Sequence, residues 1–344
     1  MPGICDLTAG LCSLQAEHGM NLEHLSTRRS SLMLHASAHA VFFCKLLLRT
    51  WQQLQSVPLL TSHPPRTSPS RGPRVGIIGG GHLGKQLVHC LISLGEVPAD
   101  LISVSTRRPE TLRDIQALGV CCFYDNMKLV RGAELVFLCC LPSQLPAVCA
   151  EICGHLPQWC VVYSMVCAVP LIRVKRLLGH SGVVRPQYKS DNSEGLQCHP
   201  HVTVTEALRD GCLIRNTIPV PGEASGGGGV RIVSHFIEPA LYAILNVCTS
   251  HGLSHDQSLS VLNGLIQQQM TSEDTPPSFT RSCMVSREFE SSLASDSPFP
   301  LFDLSCVQMK ETPLSQHLAA SPQLRSQLSR MYCALLHHPD THRA

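Results

Sequence analysis

The chain has 344 residues, room for one large domain or two ordinary ones with irregular ends. Its 27 basic and 25 acidic residues leave a net charge of +2, and aromatics are only 5%, so neither a nucleic acid nor a strongly anionic partner is implied. None of the 18 cysteines forms a C-x-x-C pair, which argues against a structural zinc site, and the scattered histidines show no metal-ligand spacing.

Residues 1–30 carry no clear periodicity. From 32 to 54 the spacing predicts an amphipathic helix with Val41, Cys44, Leu47 and Leu48 on one stripe, docked onto the domain that follows; a membrane-surface helix is the alternative. No apolar run reaches the ~20 residues of a membrane span, since Lys45 interrupts 40–48. Residues 56–73 hold five prolines with serines and a glycine, the composition of a linker.

At 74–84 the sequence reads RVGIIGGGHLG. Val75, Ile77 and Ile78 suit a buried strand, and Leu83, Leu87, Leu91 and Ile92 continue at helical spacing. Between them Gly79, Gly81 and Gly84 give G-x-G-x-x-G, the dinucleotide-binding pattern when it joins a strand to a helix. The first glycine permits the turn, the second lets a pyrophosphate approach, and the third lets helix and strand pack closely. Strands expected at 101–105, 120–123, 134–140, 160–166 and 182–184 alternate with helical segments at 109–118, 126–131, 143–153 and 170–178. The adjacent pairs Cys121–Cys122 and Cys139–Cys140 fall on these strands, where neighbours point to opposite faces; most cysteines read as small buried hydrophobes in a reducing compartment. The alternation predicts an α/β fold, a Rossmann-type doubly wound parallel sheet followed by a smaller, mostly α-helical domain. The expected divisions are 1–73, 74–190, 191–234 as a flexible loop region ending near Gly226 to Gly229, and 235–344. In the last, helices are expected at 235–250, at 254–270 behind a Ser254/Gln257 capping box, and from Ser321 and Pro322 onward; 271–320 reads as largely irregular.

The end of the second strand decides which dinucleotide. An NAD site places an acid there for the ribose 2′-OH, but this strand runs Ser105-Thr106-Arg107-Arg108, with no acid before Glu110. Two cations at a helix start oppose its dipole by about 0.3–1 kcal/mol each, which a bound 2′-phosphate offsets. Hydroxyls of Ser105 or Thr106 and the two guanidinium groups are its expected donors, so NADP(H) is favoured. Leu141 and Pro142, after the fourth strand, are placed to contact the ribose or nicotinamide.

The strings RVGIIGGGHLG, STRR, LVFLCCLPSQL, VVYSMVCAVPLIRVKRLL and VVRPQ, in that order, resemble the cofactor domain of the pyrroline-5-carboxylate reductase family over roughly 74–190. The likeness extends to the deazaflavin-dependent NADP reductases, and EPALYAILNVCTSHGLSH and PFPLFDLSCVQMKETPLSQHL also resemble a member of the family. The resemblance implies hydride transfer from a nicotinamide cofactor to an imine, with cofactor contacts at Gly79, Gly81, His82, Leu83 and Gly84, at Ser105, Thr106, Arg107 and Arg108, and at Leu141, Pro142 and Gln144. It also implies a homodimer. The family's substrate loops are not matched: Pro239, Ala240 and Tyr242 echo one faintly behind Ile237 and Glu238, and Arg185 leads to Pro186-Gln187 rather than Asn-Thr-Pro. Pyrroline-5-carboxylate is therefore not the expected substrate; Tyr188, Lys189 and Tyr242 are the nearby donors nominated. The expectation is an NADP(H)-dependent oxidoreductase acting on an unidentified small imine or carbonyl, the alternative a non-catalytic NADP-binding protein acting through partner contacts. No catalytic residue and no metal is assigned. Cytosol is the expected compartment, with mitochondria the alternative.

Overall fold

The computed structural model describes residues 6–56, 72–190, 202–220, 229–268, 278–294 and 296–337, the side chains of 6–27 excepted. The linker 57–71 and most of the expected loop region 191–234 lie outside these residues. In chain order the elements are α1 (Asp6–Ser56), β1 (Val75–Ile78), α2 (His82–Ser93), β2 (Ile102–Ser105), α3 (Arg113–Ala117), β3 (Cys121–Phe123), α4 (Asn126–Gly132), β4 (Leu135–Leu138), α5 (Leu145–Ile152), β5 (Val161–Ser164), α6 (Leu171–Leu178) and β6 (Val183–Val184). Then follow β7 (Tyr188–Ser190), α7 (Val204–Ala207), α8 (Gly211–Asn216), β8 (Val230–Ile232), α9 (Ile237–Ser250), α10 (His255–Gln267), α11 (Arg281–Met284), α12 (Arg287–Ser292), α13 (Leu304–Met309), α14 (Pro313–Ala320) and α15 (Pro322–Leu336).

Six parallel strands lie in the order β3-β2-β1-β4-β5-β6, the doubly wound arrangement expected from the alternation. Order reverses between β1 and β4, where Ile78 pairs with Leu138, so a crevice opens beyond their carboxyl ends. Side chains alternate across the sheet. Val75, Ile77, Leu135, Phe137, Val161 and Tyr163 join one apolar cluster, while Ile78, Val136, Leu138 and Val162 join another with α4, α5 and α6.

The first cluster runs without a break from the sheet through α1 and α2 into α9, α10 and α15. Helix α1 is its axis. It was expected to show one apolar stripe, but Leu34, Ala38, Ala40, Val41, Phe42, Phe43, Cys44, Leu46, Leu47 and Leu48 are all buried, which covers every side of the helix. Phe43 meets Tyr163 of β5 edge-on at 5.4 Å between ring centroids, and Phe42 meets Tyr332 of α15 at 4.9 Å. The stretch Arg28–Gln55 is, contrary to the expectation above, long and apolar enough by length and composition to cross a membrane. Here 83% of its most apolar window is buried inside the protein. Lys45, the residue that interrupts the apolar run, is itself buried; its ammonium donates to Leu335 O at 2.8 Å and pairs with Glu96 at 3.1 Å.

The capping box of α10 forms as expected, and Ser321 caps α15 by accepting from Leu324 N–H. Residues 271–320 differ from expectation, since α11 to α14 fall within them. These helices are too short to show a hydrophobic period, yet Ser286, Asp303 and Thr312 each cap one. The antiparallel pair β7–β8 was not expected either; Lys189 faces Arg231 across it.

Candidate functional site

The glycine turn sits at the reversal of strand order. Gly79 adopts φ +114°, a conformation glycine alone takes at little cost, and its N–H donates to Ser105 O at 2.9 Å. A Cβ there would stand 2.8 Å from the carbonyl of Cys139, so the turn is pressed directly against the end of β4. A Cβ on Gly84 would lie 2.0 Å from Gly79 O; the third glycine lets α2 pack on the turn. Gly81 is different: a Cβ there meets no atom within 4 Å. The protein leaves that side open, as a motif that brings its backbone to a phosphate requires. Gly81 is also the N-cap of α2 and supplies no side-chain cap, and the first turn holds no acid, so its N–H groups and dipole face the opening. His82 is exposed there and Leu83 half-buried.

At the end of β2 the four expected residues separate into two tasks. Ser105 is buried and its Oγ accepts from Asp125 N–H at 3.3 Å, so it ties β2 to the end of β3 instead of facing the crevice. Thr106 donates its N–H to Phe123 O at 2.9 Å and lies against Gly80. Arg107 and Arg108 are exposed, and among the described residues neither has an ion-pair partner. The nearest acids are engaged elsewhere: Asp114 with Lys85 at 3.0 Å, and Asp125 as the cap of α4, accepting from Lys128 N–H at 2.8 Å. After β4, Leu141 is 63% exposed, Pro142 is exposed and Gln144 half-buried, in a turn closed by Gln144 N–H to Leu141 O at 2.9 Å.

Beyond β5 and β6 the same edge carries a second group of residues. Ala168 holds φ +62°, left-handed backbone in a residue with a Cβ. Arg185 is buried; its N–H donates to Gln308 Oε1 at 2.9 Å and its Nε to Val166 O at 3.4 Å. Of the three donors nominated from sequence, Lys189 is exposed on β7 and Tyr242 is committed to the core, donating to Met284 O at 2.8 Å. Tyr188 is also committed. His39 Nε2 lies 2.7 Å from Thr217 O and must donate to it, which leaves Nδ1 to accept from Tyr188 OH at 2.9 Å. Burial holds His39 neutral, its pKa pushed down to about 3. At the start of α9, buried Glu238 accepts from His235 Nδ1 at 2.8 Å, a bond that raises the pKa of half-buried His235. His39 and the His235–Glu238 pair carry no motif and follow only from the packing.

Residues 74–166 match the family described as NADP oxidoreductase, coenzyme F420-dependent. Over 344 aligned residues the chain is 39% identical to NADP-dependent oxidoreductase domain-containing protein 1 of Mus musculus, covering 95% of this chain and 93% of that protein. Pyrroline-5-carboxylate reductase 3 of Mus musculus is 24% identical over 217 residues, which is 57% of this chain and 78% of the relative. A solved pyrroline-5-carboxylate reductase from Coxiella burnetii aligns with 77% of this chain and 96% of its own, at 17% identity and a TM-score of 0.33.

Two predictions follow from this geometry. Gly84→Ala must displace the Gly79 carbonyl and should lower the unfolding free energy by about 1–3 kcal/mol, whereas Gly81→Ala should change it by less than about 1 kcal/mol; denaturant titration of both variants checks this. The His235–Glu238 bond contributes stability that is fully present below the unfolded His pKa of 6.5 and is lost as pH rises through the raised folded value. The stability advantage of the native chain over His235→Gln should therefore shrink as the pH of a melting series is raised past about 6.5, and a growing advantage would contradict the assignment.

Proposed function

The chain belongs to the family of NADP-dependent oxidoreductase domain-containing protein 1 and carries an oxidoreductase domain related to the pyrroline-5-carboxylate reductases; on that premise we propose that it binds NADP(H) and reduces a small imine or carbonyl. One observation carries this reading: the open side of Gly81, at an uncapped helix N-terminus, lies one strand from two exposed arginines without carboxylate partners. Pyrophosphate fits the former and a 2′-phosphate the latter. When bound, the cofactor supplies the hydride. The chain's own residues orient and shield it. The N–H groups of the first turn of α2 hold the pyrophosphate, Arg107 and Arg108 take the 2′-phosphate by charge-assisted bonds, and Thr106 backs the turn. Leu141 and Pro142 are the apolar groups placed to cover the ribose and keep water from the crevice.

The second reading, a non-catalytic NADP-binding protein acting through partner contacts, draws on the helical region. Tyr242 of α9, the one donor echoing the family's substrate loop, is committed to the core. Cytosol is the proposed compartment, because the 15 cysteines among the described residues are all free thiols, as a reducing environment keeps them.

NADPH and NADH binding to the native chain and to an Arg107→Ala/Arg108→Ala variant tests the cofactor assignment. NADPH affinity should fall at least about tenfold in the variant, with NADH affinity nearly unchanged. Equal binding of NADH and NADPH by the native chain would remove the 2′-phosphate site. NADPH oxidation in the presence of cyclic imines, 2-oxo acids and aldehydes then separates the two readings, since tight NADPH binding without turnover on any of them favours the second.

A further inference from the structure

Arg185 stands out among the buried cations of this protein. It is only 9% exposed, so more than nine-tenths of it is withdrawn from water. A buried charge is normally paired, and the other well-buried cation among the described residues follows that rule: Lys45 meets Glu96 at 3.1 Å and the Leu335 carbonyl at 2.8 Å. The half-buried Lys175 pairs with Asp303. Arg185 has no carboxylate within ion-pair distance among the described residues, and its one side-chain bond is the 3.4 Å contact from Nε to Val166 O. The ionisable group felt at the guanidinium is the thiol of exposed Cys167, and burial works against the charge. Its terminal nitrogens make no hydrogen bond, yet they are not among the wholly enclosed polar atoms that lack a partner. The remaining exposure of the residue therefore includes the donor end of the fork.

Its place in the fold gives the unpaired charge a meaning. Arg185 directly follows β6, at the same carboxyl edge as the glycine turn but on the opposite half of the sheet from Arg107 and Arg108. Two bonds fix it: Gln308 of α13 accepts its backbone N–H at 2.9 Å, and Nε reaches the Val166 carbonyl just past β5. Gln308 is held in turn by donating to Val183 O and Leu304 O, each at 2.8 Å. The loop it touches carries the left-handed Ala168. A planar guanidinium held on one edge, with its two terminal nitrogens free, presents the bidentate face that matches a carboxylate.

We propose that Arg185 anchors the carboxylate of the molecule reduced at this edge, so that the substrate is a small carboxylate-bearing imine or carbonyl and not a neutral one. This inference rests on the cofactor reading above. The anchor supplies orientation: a carboxylate gripped at the end of β6 fixes the angle at which the rest of a small molecule faces the crevice.

Oxamate, a 2-oxo carboxylate that resists reduction, and its uncharged counterpart oxamide are suitable probes, titrated into the full chain loaded with NADPH. Oxamate should bind and oxamide should not. Arg185→Gln should lower oxamate affinity at least about tenfold while leaving NADPH affinity within about twofold, with Arg185→Lys in between. Arg185→Gln should also melt no lower than the native chain, because it removes an uncompensated buried charge; a merely structural arginine would lower the melting temperature when replaced. Oxamate binding that survives Arg185→Gln, equal binding of oxamide, or no oxamate binding by the NADPH-loaded native chain overturns the inference and leaves the cofactor reading standing. Failure of NADPH to bind at all removes the cofactor reading and this inference with it.

Discussion

A helix buried on every side sets the terms for the rest of this fold. Between Leu34 and Leu48 almost nothing on α1 reaches water, so the sheet on one side and α9, α10 and α15 on the other pack against the same rod. Burial at this scale, at roughly 25 cal/mol per Å² of apolar surface, makes the sheet and the helical region one cooperative core. It also forces accounting for every polar group the helix carries inward. Lys45 reaches Glu96 and the last turn of α15, and His39 stays neutral between Tyr188 and the Thr217 carbonyl. These bonds fix the segment after β6 relative to the helices.

The consequence is a rigid carboxyl edge with two cationic ends. At one end Arg107 and Arg108 extend from β2 beside the glycine turn; at the other Arg185 is held after β6 by Gln308 and Val166. Between them Gly79 is pressed on Cys139 and Gly84 on Gly79, so the turn has no freedom to relax, while Gly81 opens outward. Cations without carboxylate partners, one of them buried, cost stability in the free chain. They are the local conflicts expected where a fold is organised to receive a charged ligand.

The α/β half was legible because its signals are local and agree with one another. Short apolar strands, glycines at a strand-to-helix turn and proline at helix starts each pointed to the same sheet, and the order β3-β2-β1-β4-β5-β6 followed. The caps Ser254 and Ser321 were equally readable. What failed depends on partners distant in sequence. The single stripe expected on α1 came from counting apolar positions, but small residues such as Ala38 and Ala40 are buried on its other faces, and Lys45 hides its charge against a residue 290 positions away. Ser105 carries a hydroxyl at the right place for a phosphate, yet the N–H of Asp125 claims it. Tyr242 likewise matches a donor by position and is spent on Met284 O. The helices within 271–320 are too short for a period to emerge, although their caps are written in the sequence.

Amide hydrogen exchange of the full chain with and without saturating NADPH tests the central claim most directly, because it reports where the dinucleotide sits. The account predicts slowed exchange at the first turn of α2, from Gly81 to Gly84, and in the segment from Thr106 to Arg108, with α14 and α15 unchanged. Protection confined to the helical region, or none in either segment while NADPH is bound, would contradict it.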